Sequence, residues 1–272
     1  MREPVADGFY PFSLDNLDKQ LDEILSKVKV KKDSCIVGAI VPHAGYAYSG
    51  AVAAHVYKML PAYDVVVVLG TNHSGVGDRV AVSLDSWKTP LGVVECDVPV
   101  AQDIIDRCEI AHPDELAHMY EHSIEVQLPF LQKVIGSFKL VAVSVSSDLN
   151  GRNFELLGEA IREAVSGKKA IVIASSDFTH FGDMYGFKPA SKDEVKWVEK
   201  TDKKIIDAIL GFRAADALEL ASKTTVCGYA PIAVLLAAVS GSKAKLVKYA
   251  TSYDVSKDKG AIVGYAGIVF IG

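Results

Sequence analysis

Val65-Val66-Val67-Val68-Leu69-Gly70-Thr71-Asn72-His73-Ser74-Gly75 is an apolar, β-branched run that breaks into a glycine-flanked histidine segment. A short run of this kind, bounded by glycine, predicts a buried strand. The same arrangement recurs twice. Ile36 to Val41 leads into Pro42-His43-Ala44-Gly45-Tyr46, and Ala170 to Ala174 leads into Ser175-Ser176-Asp177-Phe178-Thr179-His180-Phe181-Gly182. In an α/β protein the carboxyl ends of neighbouring strands face one crevice, so residues far apart in sequence converge there. Three of the seven histidines occupy these positions, which points to a metal or acid–base site.

Strand and helix signals alternate around these runs. Asn16 to Lys29 carries Leu17, Leu21, Ile24, Leu25 and Val28 at helical spacing, the Ile36 strand follows, Gly50 to Met59 reads as a helix, and the Val65 strand completes a βαβ opening. Strands are expected at 80–84, 93–96 and 140–145, with a turn over Trp87 to Gly92 and a helix from Val98 to Cys108 that tolerates Pro99 in its first turn. His122 to Ile135 predicts a helix bent near Pro129. Further helices are expected at 154–165, 193–210, 214–222 and from about Cys227 to Val239, before two β-rich runs, 245–252 and 261–270, separated by a polar loop. No linker, repeat or low-complexity tract divides residues 1–272, so one α/β domain is expected.

Half of the residues are hydrophobic and 23% are charged, an ordinary globular balance. A net charge of −5 and the lack of a basic cluster beyond Lys27 to Lys32 argue against nucleic acid as a partner. The longest apolar stretch, Tyr229 to Val239, contains a proline and is far shorter than the roughly 20 residues a bilayer demands. The start of the chain leads to no signal-peptide hydrophobic region. A cytoplasmic protein with no membrane partner is expected. The four cysteines show no CxxC pairing, so free thiols or ligands are expected.

His43 and His73 are metal-ligand candidates because each follows an apolar strand and lies near glycines that permit close backbone approach. The alternative for each is a loop histidine that only caps backbone. Asp177 and His180 share one turn and could supply an acid–base pair or an orienting contact, or Asp177 could merely cap the turn. Glu121 and His122 are expected to open a helix, where a first-turn Glu is more simply a helix-dipole residue than a catalyst. Cys227 lies just before an apolar helix whose N-terminus favours thiolate, making it a ligand or nucleophile candidate against the plain reading of a buried thiol. Cys35, Cys96, Cys108, His55, His112 and His118 have no such setting, and packing or solvated roles are expected.

Taken in order, Arg2 with Val5-Ala6-Asp7-Gly8-Phe9-Tyr10-Pro11, Pro42 to Gly50, Gly70-Thr71-Asn72-His73, Glu121-His122-Ser123-Ile124-Glu125, Ser175 to His180 and Val226-Cys227-Gly228 resemble the Memo family. Six separated motifs carry the resemblance, which runs from Arg2 to the C-terminus. That family is similar to the class III extradiol dioxygenases, which implies helices on both sides of a central, mostly parallel sheet. It also implies a metal held by two His and one Cys, which map here onto His43, His73 and Cys227. Asp177, His180 and His122 map onto the neighbouring acid–base positions.

The resemblance implies one metal ion, iron or copper ahead of zinc, and a small-molecule or peptide ligand in the pocket. Extradiol enzymes hold Fe(II) with two His and a carboxylate, whereas the third position here is Cys227, so inherited ring-opening activity is not expected. A metal-dependent redox reaction is the first reading. A non-catalytic binding module and a cysteine hydrolase built from Cys227, His180 and Asp177 are the alternatives.

Overall fold

Every residue from Val65 to Thr71 is buried, the state of an interior strand covered on both faces. Val65, Val67 and Leu69 enter one apolar core with Val141, Val143 and Val145. Val66 and Val68 enter the other with Leu140 and Ala142. The two-residue period of a strand thus feeds two cores from one run.

The computed structural model describes residues 1–149 and 151–272. In chain order the elements are α1 (Leu14–Ser26), β1 (Ile36–Val41), α2 (Tyr46–Tyr57), β2 (Val65–Thr71), β3 (Val80–Val82), β4 (Trp87–Thr89), β5 (Gly92–Val94) and α3 (Val98–Arg107). Next come β6 (His112–Pro113), α4 (Leu128–Ile135), β7 (Lys139–Val145), α5 (Gly151–Ala164), β8 (Ala170–Ser175) and β9 (His180–Gly182). The chain ends with α6 (Glu194–Leu210), α7 (Ala214–Ser222), α8 (Tyr229–Ala238), β10 (Lys243–Thr251), α9 (Tyr253–Ser256) and β11 (Ala261–Ile271).

The main sheet runs β10-β11-β1-β8-β2-β7-β3-β6, with β9 paired to β11. Its four central strands, β1, β8, β2 and β7, are mutually parallel, and antiparallel pairs flank them on both sides. Residues of α1, α2 and α4 pack into one core, and those of α3 and α5 to α8 pack into the other. This is the single α/β domain with a mostly parallel central sheet that the sequence predicts. The three strands that precede the histidine segments, β1, β8 and β2, lie side by side.

Some boundaries differ from the expectation. α2 begins at Tyr46 rather than Gly50. Trp87 to Gly92 is a hairpin rather than a plain turn, because Trp87–Thr89 pairs with Gly92–Val94 and the Trp87 indole is fully buried. Pro129 does not bend a helix: it stands in the first turn of α4, where its missing N–H has no intrahelical partner to lose. Glu121 and His122 therefore lie outside the helix, in the segment that leads to it through a 3₁₀ turn over Glu125–Gln127.

α8, which follows Cys227, is held against α5 at Gly158, where an added Cβ would meet Ala237 Cβ at 2.5 Å and Val234 O at 2.7 Å. Alanine gains about 1 kcal/mol over glycine in a helix interior, but overpacking costs about 1 to 3 kcal/mol. Gly158→Ala is expected to lower the thermal midpoint. A raised midpoint in thermal unfolding would show that the α5–α8 contact is looser than described.

Candidate metal centre

His43 leaves β1 and is fixed by the next strand. The backbone N–H groups of His43 and Ala44 donate to Asp177 Oδ1 at 2.8 and 3.2 Å, and Asp177 lies just past β8. On the far side of β8, the His73 N–H donates to Glu121 Oε2 at 2.9 Å. Backbone N–H groups donated to acidic side chains thus set both histidine loops independently of any contact of the imidazoles.

The rings are then locked in one tautomer. Ser175 Oγ donates its only proton to Ser123 O at 2.7 Å and accepts from Gln127 Nε2 at 2.7 Å. Its contact with His43 Nδ1 at 3.0 Å must therefore be an N–H donated by the ring. His73 Nδ1 faces the two oxygens of Glu121 at 3.0 and 3.1 Å. His180 Nδ1 faces two carbonyls, Phe178 O at 2.9 Å and Thr225 O at 3.0 Å. Neither a carboxylate nor a carbonyl donates, so these nitrogens carry protons. With Nδ1 spent on these partners, Nε2 is the ring nitrogen left for a ligand, the orientation that metal-binding imidazoles acquire from such partners.

The His43 and His73 rings meet edge to face at 5.2 Å, while His73 and His122 stack at 4.9 Å. One nitrogen from each of His43, His73 and His122 lies within 4.8 Å of the others. Burial holds His43 well below the usual imidazole range, reinforced by its two histidine neighbours. Burial likewise pushes His122 down to about 4, so both rings are neutral at pH 7. Burial alone would raise the Glu121 carboxyl, but the hydrogen bond from His73, the neighbouring His73 and His122 rings and the Ser123 N–H hold it far below the carboxylate range. Phe9 covers His122 at 4.2 Å between ring centroids.

Cys227 Sγ stands 3.2 Å from His43 Nε2. Burial and the nearby Asp177 carboxyl push this thiol far up, which corrects the expectation of thiolate at the α8 N-terminus: desolvation outweighs the helix end. The S–H has two acceptors in reach, the His43 Nε2 lone pair at 3.2 Å and Asp177 O at 3.6 Å. The Cys227, His180 and Asp177 triad is not assembled, since His180 Nδ1 is taken by carbonyls and Asp177 Oδ1 accepts backbone N–H groups.

Sequence reasoning missed three supports. Glu121, read as a helix-dipole residue, is 2% exposed and orients His73. Its signal was the neighbouring His122, which should have raised an ion-pair reading. Buried Arg2 donates to His118 O at 2.8 Å and to Glu121 O at 2.5 Å, and pairs with Glu125 Oε2 at 2.6 Å. Glu125 also accepts from the Val5 and Ala6 N–H groups and the Tyr10 hydroxyl. This knot ties the N-terminal segment, with Phe9, to the strand of chain that bears Glu121 and His122. Asp202, fully buried on α6, accepts from Thr179 N–H at 3.1 Å and Tyr249 OH at 2.7 Å, steadying the turn between Asp177 and His180.

His43, His73, His122, Asp177 and His180 all line one open cleft of about 530 Å³. His118, by contrast, is buried away from it against Ala81 O, the packing role expected. A model of the Memo-like protein family matches residues 2–269. The chain belongs to the Memo family. Memo relatives span its whole length: a MEMO1 family protein of Methanosarcina mazei is 42% identical over 99% of this chain and 98% of its own, and one of Archaeoglobus fulgidus is 40% identical over 99% of each. An uncharacterized protein of Escherichia coli K12 shares the fold, with a TM-score of 0.56 at 16% identity over 87% of this chain and all of its own. Among the described residues, no helix of this Memo-family chain is long and apolar enough to cross a membrane.

Burial raises the Asp202 carboxyl to about 7. The folded state then holds a proton that the unfolded chain releases near pH 4, so this group's stabilisation is fully present below pH 4 and fades as pH rises to about 7. Asp202→Asn retains an acceptor for Thr179 and removes the titration. The drop in thermal midpoint between pH 5 and pH 8 should be smaller in the variant, and an identical drop would show that Asp202 is ionised throughout.

Proposed function

We propose that the cleft binds one transition-metal ion through His43 Nε2, His73 Nε2 and Cys227 Sγ, with iron or copper preferred to zinc. The observation that carries this reading is the shared tautomer: His43 and His73 each spend Nδ1 on a fixed acceptor, which leaves Nε2 of each for a metal, with His43 Nε2 3.2 Å from the Cys227 sulfur and a His73 nitrogen within 4.8 Å of one from His43. Imidazole and sulfur donors suit Cu(I), Fe and Zn. A cation near the sulfur reverses the local electrostatics and favours loss of the thiol proton, so uptake releases protons and weakens as pH falls. His122 is close enough to serve as a further donor.

The ion would supply Lewis acidity or electron transfer, and the cleft around its candidate ligands is open enough to admit a small molecule. Around it, His122 and His180, which line the same cleft, would take or give a proton. Asp177 keeps the His43 loop in place through its two backbone N–H acceptances. A metal-dependent redox reaction on a small molecule is the activity this arrangement supports. Ring-opening of simple catechols is not expected, because Cys227 replaces the carboxylate that an Fe(II) facial triad uses.

Competition titration with Fe(II) or Cu(I) under anaerobic conditions tests the ligand set. Cys227→Ser deletes a metal bond and should weaken binding more than Glu121→Gln, which disturbs only the orientation of His73 and should cost about 10- to 100-fold. A smaller loss for Cys227→Ser than for His122→Gln would replace the thiol with His122 as third ligand.

An oxygen-electrode assay of the Fe(II)-loaded protein with a panel of catechols should show little or no uptake. Robust turnover would make the dioxygenase reading the correct one.

A further inference from the structure

Apart from its imidazoles, the cleft is walled by Phe9, Tyr48, Tyr185 and Tyr265, with Asp177 and Asp258 as its charged groups and no Lys or Arg among the lining residues described. Two nearby cations are engaged elsewhere, Lys257 Nζ with Asp254 O at 3.0 Å and over the Tyr253 ring and Lys188 with Asp183, and Lys259, exposed beside Asp258, is not among the lining residues. Asp258 is exposed and accepts from the Gly260 N–H at 2.7 Å, with no ion-pair partner among the described residues. Burial and the negative charges of Asp177 and Asp258 raise the Tyr185 phenol, and Tyr48 adds to the shift, so these groups act on one region of space. Phosphate and carboxylate binding requires cationic partners or clustered N–H donors, and this wall offers carboxyls and the negative faces of aromatic rings instead.

We propose that the cleft selects ligands bearing a cationic amine, primary or quaternary, and seats that cation against the Tyr48 and Tyr185 rings with Asp258 as its counter-charge. The proposal rests on the reading of this cleft as the ligand site and deepens it by naming the ligand class. An ammonium over an aromatic face is attracted by the ring quadrupole, more strongly where water is displaced. An anionic end group would meet two carboxyls, with neutral hydroxyls and no cation among the described lining residues to offset them. The amine end is held by the protein wall and not by the metal.

Calorimetric titration of metal-free protein with phenethylamine, 2-phenylethanol and 3-phenylpropionate compares a cation, a neutral group and an anion on nearly one frame. The amine should bind at least about 10-fold more tightly than the alcohol, a difference of about 1.4 kcal/mol, and the acid should bind least. Benzyltrimethylammonium should bind as well, since cation–π attraction needs no N–H. Asp258→Asn and Tyr185→Leu should each weaken amine binding several-fold, while Tyr185→Phe, which keeps the ring, should retain it. Binding of the acid as tight as that of the amine, or amine affinity unchanged in both Asp258→Asn and Tyr185→Leu, would overturn the proposal. Because these titrations need no metal, the order amine over alcohol over acid would stand even if the protein failed to take up iron or copper, an outcome that would remove only the metal reading.

Discussion

Insertion of β8 between β1 and β2 sets the geometry of everything at the carboxyl edge of the sheet. It puts Asp177 within reach of the His43 backbone and Ser175 within reach of the His43 ring. It also brings Gly228 close enough to donate its N–H to Ser176 Oγ at 3.1 Å, which seats Cys227 beside the same ring. A sheet in which β1 and β2 paired directly would bring the two histidines together without the residues that orient them.

Acidic groups buried near this edge are stabilised in three different ways, and the differences fix their roles. Glu125 has a guanidinium partner in Arg2 and serves as a structural knot for the N-terminal segment. Glu121 has only imidazoles and N–H groups, so its charge is directed at the cleft. Asp202 has two neutral donors and no cation, and desolvation dominates it. Burying a carboxylate without a cation is costly. That this occurs beside the cleft, in a domain whose other ion pairs are largely at the surface, fits a site under functional rather than stability constraint.

Much of the fold was readable because parallel strands covered on both faces leave near-continuous apolar runs, as in Val65–Leu69 and Leu140–Val145, and because glycine ends them sharply. The convergence of His43, His73, Asp177 and His180 follows from the strand-end rule without any knowledge of the sheet order. Glu121 was misread because its helix assignment was wrong: Pro129 looks like a helix breaker in a linear reading, whereas it starts α4 and leaves Glu121 in an irregular segment. The state of Cys227 differs from the expectation for an electrostatic reason, since proximity to a helix start is visible in sequence, whereas the loss of solvent around the thiol and the nearby Asp177 carboxyl are not. Asp202 had no local signal, because its partners, Thr179 and Tyr249, come from distant segments.

Elemental analysis of protein purified anaerobically and dialysed against metal-free buffer bears most directly on the centre formed by His43, His73 and Cys227. One iron or copper ion per chain, absent from a His43→Ala, His73→Ala double variant that still unfolds in a single cooperative transition, is the result expected. Metal bound in equal amount by the double variant, or a wild-type chain that holds none and takes up none on anaerobic loading, would contradict it.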